Sequence, residues 1–274
     1  MPLTTLAPGK VNLCLLVGAP RADGLHPLVS VVQPTDLADE VSLEPADRDE
    51  VICPGVNGEN LAMRALEAFR FATDWEITGL RLTIDKRVPI AAGMAGGSSD
   101  AAAALHLAND LLETPLPLEE LDSIAASLGA DVPFFLREGP QLATGAGTTL
   151  AAVALPRAYT VLLGLPDGAR KSATADVYAA FDERRGEAGY EERRAHALAT
   201  LDDLTAETDL AALPPNDLAW SPLADELRRL GAFRADVTGA GPVVYGLFVE
   251  RTGAERARDV LGTDLAGSWI AEPR

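Results

Sequence analysis

The chain has 274 residues, 47% hydrophobic and 23% charged, enough apolar material for a sizeable core and outside the compositional range of disordered chains. Its 23 basic and 41 acidic residues leave a formal charge of −18, a field that repels nucleic acid and anionic lipid and excludes bulk polyanion binding. No apolar run reaches the roughly 18 residues of a membrane span, the first residues carry no charged n-region, and Cys14 and Cys53 with three histidines make neither a disulfide framework nor a zinc cluster.

These features predict a cytoplasmic chain that binds neither nucleic acid nor membrane. Residues 11–17 (VNLCLLV), 29–32, 41–43 and 80–84 (LRLTI) are rich in Leu or β-branched side chains and are bounded by Gly, Pro or Asp, the pattern of short strands. Leu61, Ala65, Ala68 and Phe69 recur at helical spacing and predict a helix over 61–71 with Asn60 as its N-cap. Helices follow at 98–112 and 117–128, the second with Glu119 and Glu120 in its first turn and Gly129 as its stop. A turn-rich stretch, 139–149, leads to Pro156 and Arg157, which mark the boundary between domains 1–156 and 157–274. Beyond it the pattern predicts a strand at 159–165, helices at 175–181, 190–201 and 223–230, strands at 235–238 and 243–248, and a helix at 253–261. The mixed order predicts an α+β class, two sandwiches side by side. The charged run 182–194 reads as a solvated helical face or loop without function.

Four segments carry candidate chemistry. The first, residues 88–100, is a run of tiny residues between a strand and an Ala-rich helix: Pro89, Ile90, Ala91, Ala92, Gly93, Met94, Ala95, Gly96, Gly97, Ser98, Ser99 and Asp100. Gly lets backbone N–H groups approach oxygens closely, a helix start offers unpaired donors, and the serines supply hydroxyls to a phosphate or a magnesium shell. The spacing fits neither the P-loop nor the dinucleotide fingerprint, and close helix-to-sheet packing is the plainer use of such a turn. The second is Lys10, at the start of a buried strand, in a chain with only Lys10, Lys86 and Lys171 among its basic residues that are not Arg. A compact ammonium can bond a carboxylate and a phosphate oxygen together, or simply snorkel to water from a strand end. The third is Asp131, between a helix stop and Val132-Pro133-Phe134-Phe135, where partial desolvation suits a general base and a turn suits an Asp that accepts backbone bonds. The fourth, residues 236–244, is strand, Gly-rich turn and strand, able to cover a phosphate or form a hairpin.

In this order the segments resemble the GHMP superfamily of small-molecule kinases, over nearly the whole chain. The marks are 8–13 (PGKVNL), 21–26 (RADGLH), 96–102 (GGSSDAA) and 129–135 (GADVPFF), the second and fourth being particular to the branch whose acceptor is a cytidine diphospho-alcohol. Asn60-Leu61, 174–178 (TADVY) and Asn216-Asp217-Leu218 also stand where that branch has similar residues. The resemblance implies a two-domain GHMP kinase fold, with an amino-terminal domain like ribosomal protein S5 and a ferredoxin-like carboxy-terminal domain, as a monomer or homodimer with the active site in a cleft. It implies ATP over Pro89 and Ala91 to Ser99, Mg2+, Asp131 as the base that takes the acceptor hydroxyl's proton, and Lys10 as the cation holding that carboxylate. It further implies substrate contacts from Asn12, Leu25, His26, Asp131, Thr238 and Gly239, with His26 reading the cytosine. Leu25 replaces the usual stacking Tyr, Ala95 a loop Gly, and Ala240 a Ser, while 33–39 lacks the branch's aromatics. The rival readings are another alcohol kinase of the superfamily, a non-catalytic S5-like binding module, and a dinucleotide-dependent oxidoreductase using residues 93–97. A structural His26 in the turn at 23–27 is the plainer reading of that residue.

Overall fold

A computed structural model describes residues 2–56, 58–73, 75 and 79–274. In chain order it has β1 (Leu3–Val17), β2 (Leu28–Pro45), β3 (Glu50–Ile52), α1 (Leu61–Thr73), β4 (Leu80–Asp85), α2 (Gly96–Asn109) and α3 (Leu118–Leu128), followed by a 3-10 turn at Pro133–Leu136. There follow β5 (Gln141–Thr144), β6 (Thr149–Ala152), β7 (Thr160–Pro166), α4 (Thr174–Glu183), α5 (Tyr190–Asp202), α6 (Pro222–Arg229), β8 (Arg234–Val237), β9 (Val244–Phe248), α7 (Arg251–Leu261) and β10 (Leu265–Ala271). The class is α+β, as the mixed pattern implies. Among the described residues no helix is long and apolar enough to cross a membrane.

The chain forms two compact units, each assembled from several stretches. The first comprises Met1–Gly9, Ala38–Ile90 and Ala95–Glu138. In it the end of β2 pairs antiparallel with β4, from Glu40 opposite Asp85 to Pro45 opposite Leu80, and β3 lies parallel on the other side of β4. Val41, Leu43, Leu80, Leu82 and Ile84 pack with Ala65, Leu66 and Phe69 of α1, with α2 and with Leu121 and Ile124 of α3. The Ala run of α2 is buried throughout, because methyl side chains let a helix be enclosed without crowding its neighbours. Asn60 caps α1 as predicted, its Oδ1 accepting the Ala62 N–H at 2.9 Å. The predicted helix at 98–112 stops at Asn109, whose side chain both donates to and accepts from the Leu116 backbone.

The second unit comprises Lys10–Leu37, Ala91–Met94 and Gly139–Arg274. The start of β2 pairs with β5, and β5 with β6, so the turn-rich stretch 139–149 holds a strand and the turn of a hairpin. A four-stranded antiparallel sheet runs β10-β7-β9-β8. Ala224 and Leu227 of α6 and Ala254, Ala257 and Leu261 of α7 pack on Leu162, Val237, Val244 and Phe248 of this sheet. Phe181 of α4 packs with Leu15, Val17 and Leu218. The predicted strands at 29–32 and 41–43 are one strand of 18 residues, β2, because the intervening Gln33, Thr35 and Asp39 are buried with polar partners rather than turned to solvent.

Candidate active site

Lys10 lies mid-strand on β1, with the apolar Val11 and Leu13 to Val17 buried beyond it. The side chain does not snorkel. Lys10 is only 4% exposed, and its ammonium donates to Asn12 Oδ1 at 2.5 Å and to the Gly93 carbonyl at 2.8 Å. Its backbone N–H donates to the Met94 carbonyl at 3.1 Å. Asn12 is fixed in turn: its Nδ2 donates to Ser30 Oγ (2.8 Å), whose hydroxyl donates to the Cys14 carbonyl (2.8 Å), and its backbone N–H donates to Thr238 Oγ1 (3.1 Å). Thr238 is fully buried, so its hydroxyl braces Asn12. Gly239 runs beside the ammonium with a φ of +58°, and a Cβ there would lie 3.3 Å from Lys10 Nζ. Gly93, at φ +84°, has no room for a side chain: a Cβ would meet the Thr238 carbonyl at 2.3 Å. Val243 N–H donates to the Ala92 carbonyl at 3.2 Å. The strand at Lys10, residues 91–94 and the turn 238–243 are thus knitted into one piece.

Arg234 seats this strand. Only 6% exposed, its guanidinium donates to the carbonyls of Leu13, Leu210, Leu213 and Pro214 and to Tyr245 Oη, and Tyr245 Oη itself donates to the Leu13 carbonyl at 3.2 Å.

In the first unit, α2 begins at Gly96. Its first N–H bonded backwards is that of Ser99, to the Ala95 carbonyl at 3.0 Å, so the N–H groups of Gly96, Gly97 and Ser98 are the orphan donors of a helix start. Ala95, just before it, sits in the left-handed region at φ 56°, and Ala91 does likewise at 57°. A Cβ at Gly97 would meet nothing within 4 Å, so that face of the helix start is open, whereas one at Gly96 would lie 3.2 Å from Lys86 Nζ. Lys86 bridges Asp39 (2.5 Å) and Asp100 (2.8 Å), and Asp39, wholly buried, also accepts the N–H groups of Arg87 (2.6 Å) and Val88 (2.8 Å). Burial weakens the Lys86 ammonium's hold on its proton, but the two carboxylates outweigh it and leave the pKa above the ordinary value. Burial pushes Asp100 up to about 7, with Lys86 pulling the other way. Asp100 Oδ1 and Ser99 Oγ are buried without a hydrogen-bond partner among the described residues. Nearby, a cavity of about 370 Å³ is lined by Val51, Cys53, Val56, Asn60, Met63 and Arg64. Cys53 feels the charges of Asp100, Lys86 and Asp39.

Asp131 is exposed, not partly desolvated as its apolar neighbours suggest. The 3-10 turn carries Val132, Pro133 and Phe134 inward and leaves Asp131, ahead of it, facing solvent. His26, in the second unit, is half-buried: Nδ1 donates to the Gly18 carbonyl at 2.8 Å, and Nε2 lies 3.5 Å from Asp182 Oδ2. The Gly18 contact puts the proton on Nδ1. The ring lies 5.1 Å from that of Tyr178 and 5.9 Å from that of Phe181, while Leu25 is 52% exposed.

Family models for the GHMP kinases N terminal domain and the GHMP kinases C terminal match residues 60–139 and 191–266. The chain is 38% identical over 278 residues to the 4-diphosphocytidyl-2-C-methyl-D-erythritol kinase of Anaeromyxobacter sp. (strain Fw109-5), covering 97% of this chain and 88% of that one. It belongs to the 4-diphosphocytidyl-2-C-methyl-D-erythritol kinase family. A solved 4-(cytidine 5'-diphospho)-2C-methyl-D-erythritol kinase is similar with a TM-score of 0.79 at 30% identity over 99% of each chain. The mevalonate kinase of Methanococcus jannaschii has a TM-score of 0.78 over 100% of this chain and 99% of that one, but at 13% identity it shares the fold alone. As a member of this kinase family the chain is a GHMP-type kinase, with ATP as its phosphoryl donor. Sequence reasoning missed Asp39 and Asp100 as partners of Lys86, and did not connect His26 with its aromatic neighbours Tyr178 and Phe181. The scarcity of lysine was the one signal pointing to Lys86.

Proposed function

We propose that this chain transfers the γ-phosphoryl group of ATP to the 2-hydroxyl of 4-diphosphocytidyl-2-C-methyl-D-erythritol, with Lys10 and Asp131 as its catalytic residues. The observation that carries the reading is the buried ammonium of Lys10, clamped by Asn12 and by the carbonyl of Gly93 in the very loop that the family uses for phosphates. Phosphoryl transfer is mostly positioning and neutralisation of spread charge, which a fixed point charge performs without reorganisation.

Asp131 takes the proton from the attacking hydroxyl, and its exposed carboxylate is open to an incoming acceptor. Lys10 stabilises the negative charge that develops. The orphan N–H groups of Gly96, Gly97 and Ser98 hold phosphate oxygens, and the open face at Gly97 supports that use. The cavity at Val51, Cys53 and Asn60 suits the nucleotide's base. Ser99 Oγ and Asp100 Oδ1 are hard oxygen donors lacking partners, a set that fits magnesium. ATP with Mg2+ supplies the phosphoryl group and part of the charge neutralisation. His26 and the neighbouring Tyr178 bind the cytosine, and Asn12, Thr238 and Gly239 shape the acceptor side around Lys10.

A domain boundary near residue 156 belongs to the same proposal, supported by the two family models lying on either side of it. So do a cytoplasmic location, a monomer or homodimer, and the absence of nucleic-acid or membrane partners, the last supported by the −18 charge. The test is ATP consumption by the purified chain with and without the cytidine diphospho-alcohol. Consumption that requires the alcohol is expected, and equal consumption without it would overturn the assignment. Asp131→Asn should fold normally and lose about 10²- to 10⁴-fold in turnover, with Lys10→Ala comparable. His26→Ala should raise KM for the cytidine substrate and leave that for ATP little changed.

A further inference from the structure

Asn216 belongs to a motif that the proposed chemistry does not use. It is buried, and its surroundings are unusually specific. The side-chain amide donates to two carbonyls of one loop, Val237 at 2.9 Å and Gly239 at 2.7 Å, while Oδ1 accepts the Leu218 N–H at 2.8 Å. Its backbone N–H donates to Asp236 Oδ2 at 2.8 Å, and the other oxygen of that carboxylate accepts the Val237 N–H at 2.8 Å. Asn216 also forms a parallel bridge with Leu15, and Asp217 N–H donates to the Leu15 carbonyl at 2.8 Å. One residue therefore ties the strand that bears Lys10 to the loop that passes over it.

That loop holds Lys10 by two routes. Thr238 Oγ1 accepts the N–H of Asn12, whose Oδ1 accepts from Lys10 Nζ. The Thr238 and Gly239 backbone also abuts Gly93, whose carbonyl is the other acceptor of the ammonium. Gly239 and Gly241 both have positive φ, a conformation without side-chain restraint of its own, so an external clamp has something to hold. Side chains one step removed from a reacting group set its position, and small displacements there cost turnover rather than affinity.

We infer that Asn216 is a positioning residue for Lys10, acting through the 237–239 loop. The inference rests on the catalytic reading of Lys10 for its effect on turnover, but its geometric content can be tested apart from it. Three lysines make competitive amine acylation with peptide mass spectrometry a residue-resolved probe. In Asn216→Ala the acylation rate of Lys10 should rise about fivefold or more, with Lys86 and Lys171 unchanged. On the cytidine substrate kcat should fall about tenfold or more while both KM values stay within about threefold. In a Lys10→Ala background the same substitution should cost less than about twofold, because a positioning residue has nothing left to position.

An unchanged Lys10 acylation rate, or a turnover cost that multiplies in full in the Lys10→Ala background, would overturn the inference. Asn216→Asp keeps the size and the contact to Leu218 while removing both donors, and it carries the same expectations if the Ala variant does not fold. If neither variant folds, Asn216 is a structural residue and the inference is wrong. If the parent chain does not turn over the cytidine substrate, the functional assignment fails, and the acylation rates alone decide the positioning.

Discussion

Replacing Lys86 by Met tests the electrostatics at the start of α2. The substitution keeps the length of the side chain and leaves Asp39 and Asp100 buried without their shared cation. Breaking a buried ion pair by removing one partner costs about 3–5 kcal/mol, since the remaining charge is neither solvated nor paired. The cost must depend on pH, and its sign follows from Asp100. With a pKa pushed up from 3.8 to about 7, the folded chain holds that proton at pH values where the unfolded chain has released it. Folding is therefore favoured on the acid side and loses this advantage as pH rises through about 7. Removing Lys86 deletes the pull that lowers Asp100 and leaves Asp39 to raise it, which extends the loss to higher pH. In urea denaturation without nucleotide or magnesium, Lys86→Met should be destabilised by about 3–5 kcal/mol at pH 8.5, and by only about 1–2 kcal/mol at pH 5.5, where one carboxyl is protonated. Adding Asp100→Asn should recover much of the difference at pH 8.5. A variant within about 1 kcal/mol of the parent at pH 8.5, or one equally destabilised at both pH values, would refute the reasoning.

Gly97→Ala adds a methyl group where nothing lies within 4 Å, so its melting temperature should match or exceed the parent's while its KM for ATP rises; an unchanged KM would remove the phosphates from this helix start. Gly93→Ala is the opposite case, because it forces a Cβ to within 2.3 Å of the Thr238 carbonyl at a positive φ, and a loss of more than about 2 kcal/mol is expected in the same melts. Burial pushes the Cys14 thiol up to about 11, so at pH 8 only about one molecule in a thousand carries the thiolate; maleimide should reach Cys14 only in urea, and peptide mapping of native protein that shows it labelled would contradict the buried strand.

How much of this was readable depended on whether a residue's partners are local. The loop at 89–97 is visible as a run of tiny residues before an Ala-rich helix, yet the left-handed backbone of Ala91 and Ala95 has no signature, alanine being a poor choice for it. Strand β2 looked broken because Gln33, Thr35 and Asp39 interrupt its apolar pattern. Gln33 and Asp39 have partners remote in sequence, Arg274 and Arg87 among them, which supply what water otherwise would. Strand β10 escaped notice because LAGSWIA is only half-buried and its register shifts between Leu265 and Gly267. Apolar neighbours misrepresented Asp131, since a 3-10 turn can bury the following residues and leave the first outside. The prominence of Lys10 was visible, but its clamp was not, for Asn12 and Gly93 are 81 positions apart and meet only in three dimensions.

The seating of Lys10's strand by Arg234 and Tyr245 has a consequence for how the enzyme is made. The carbonyl of Leu13 receives both groups across more than two hundred positions, so a nascent chain presents Lys10 long before the residues that seat its strand have been made. A chain cut short before β8 would carry Lys10, Asn12 and Gly93 but lack the Arg234 and Tyr245 that seat the strand beneath them.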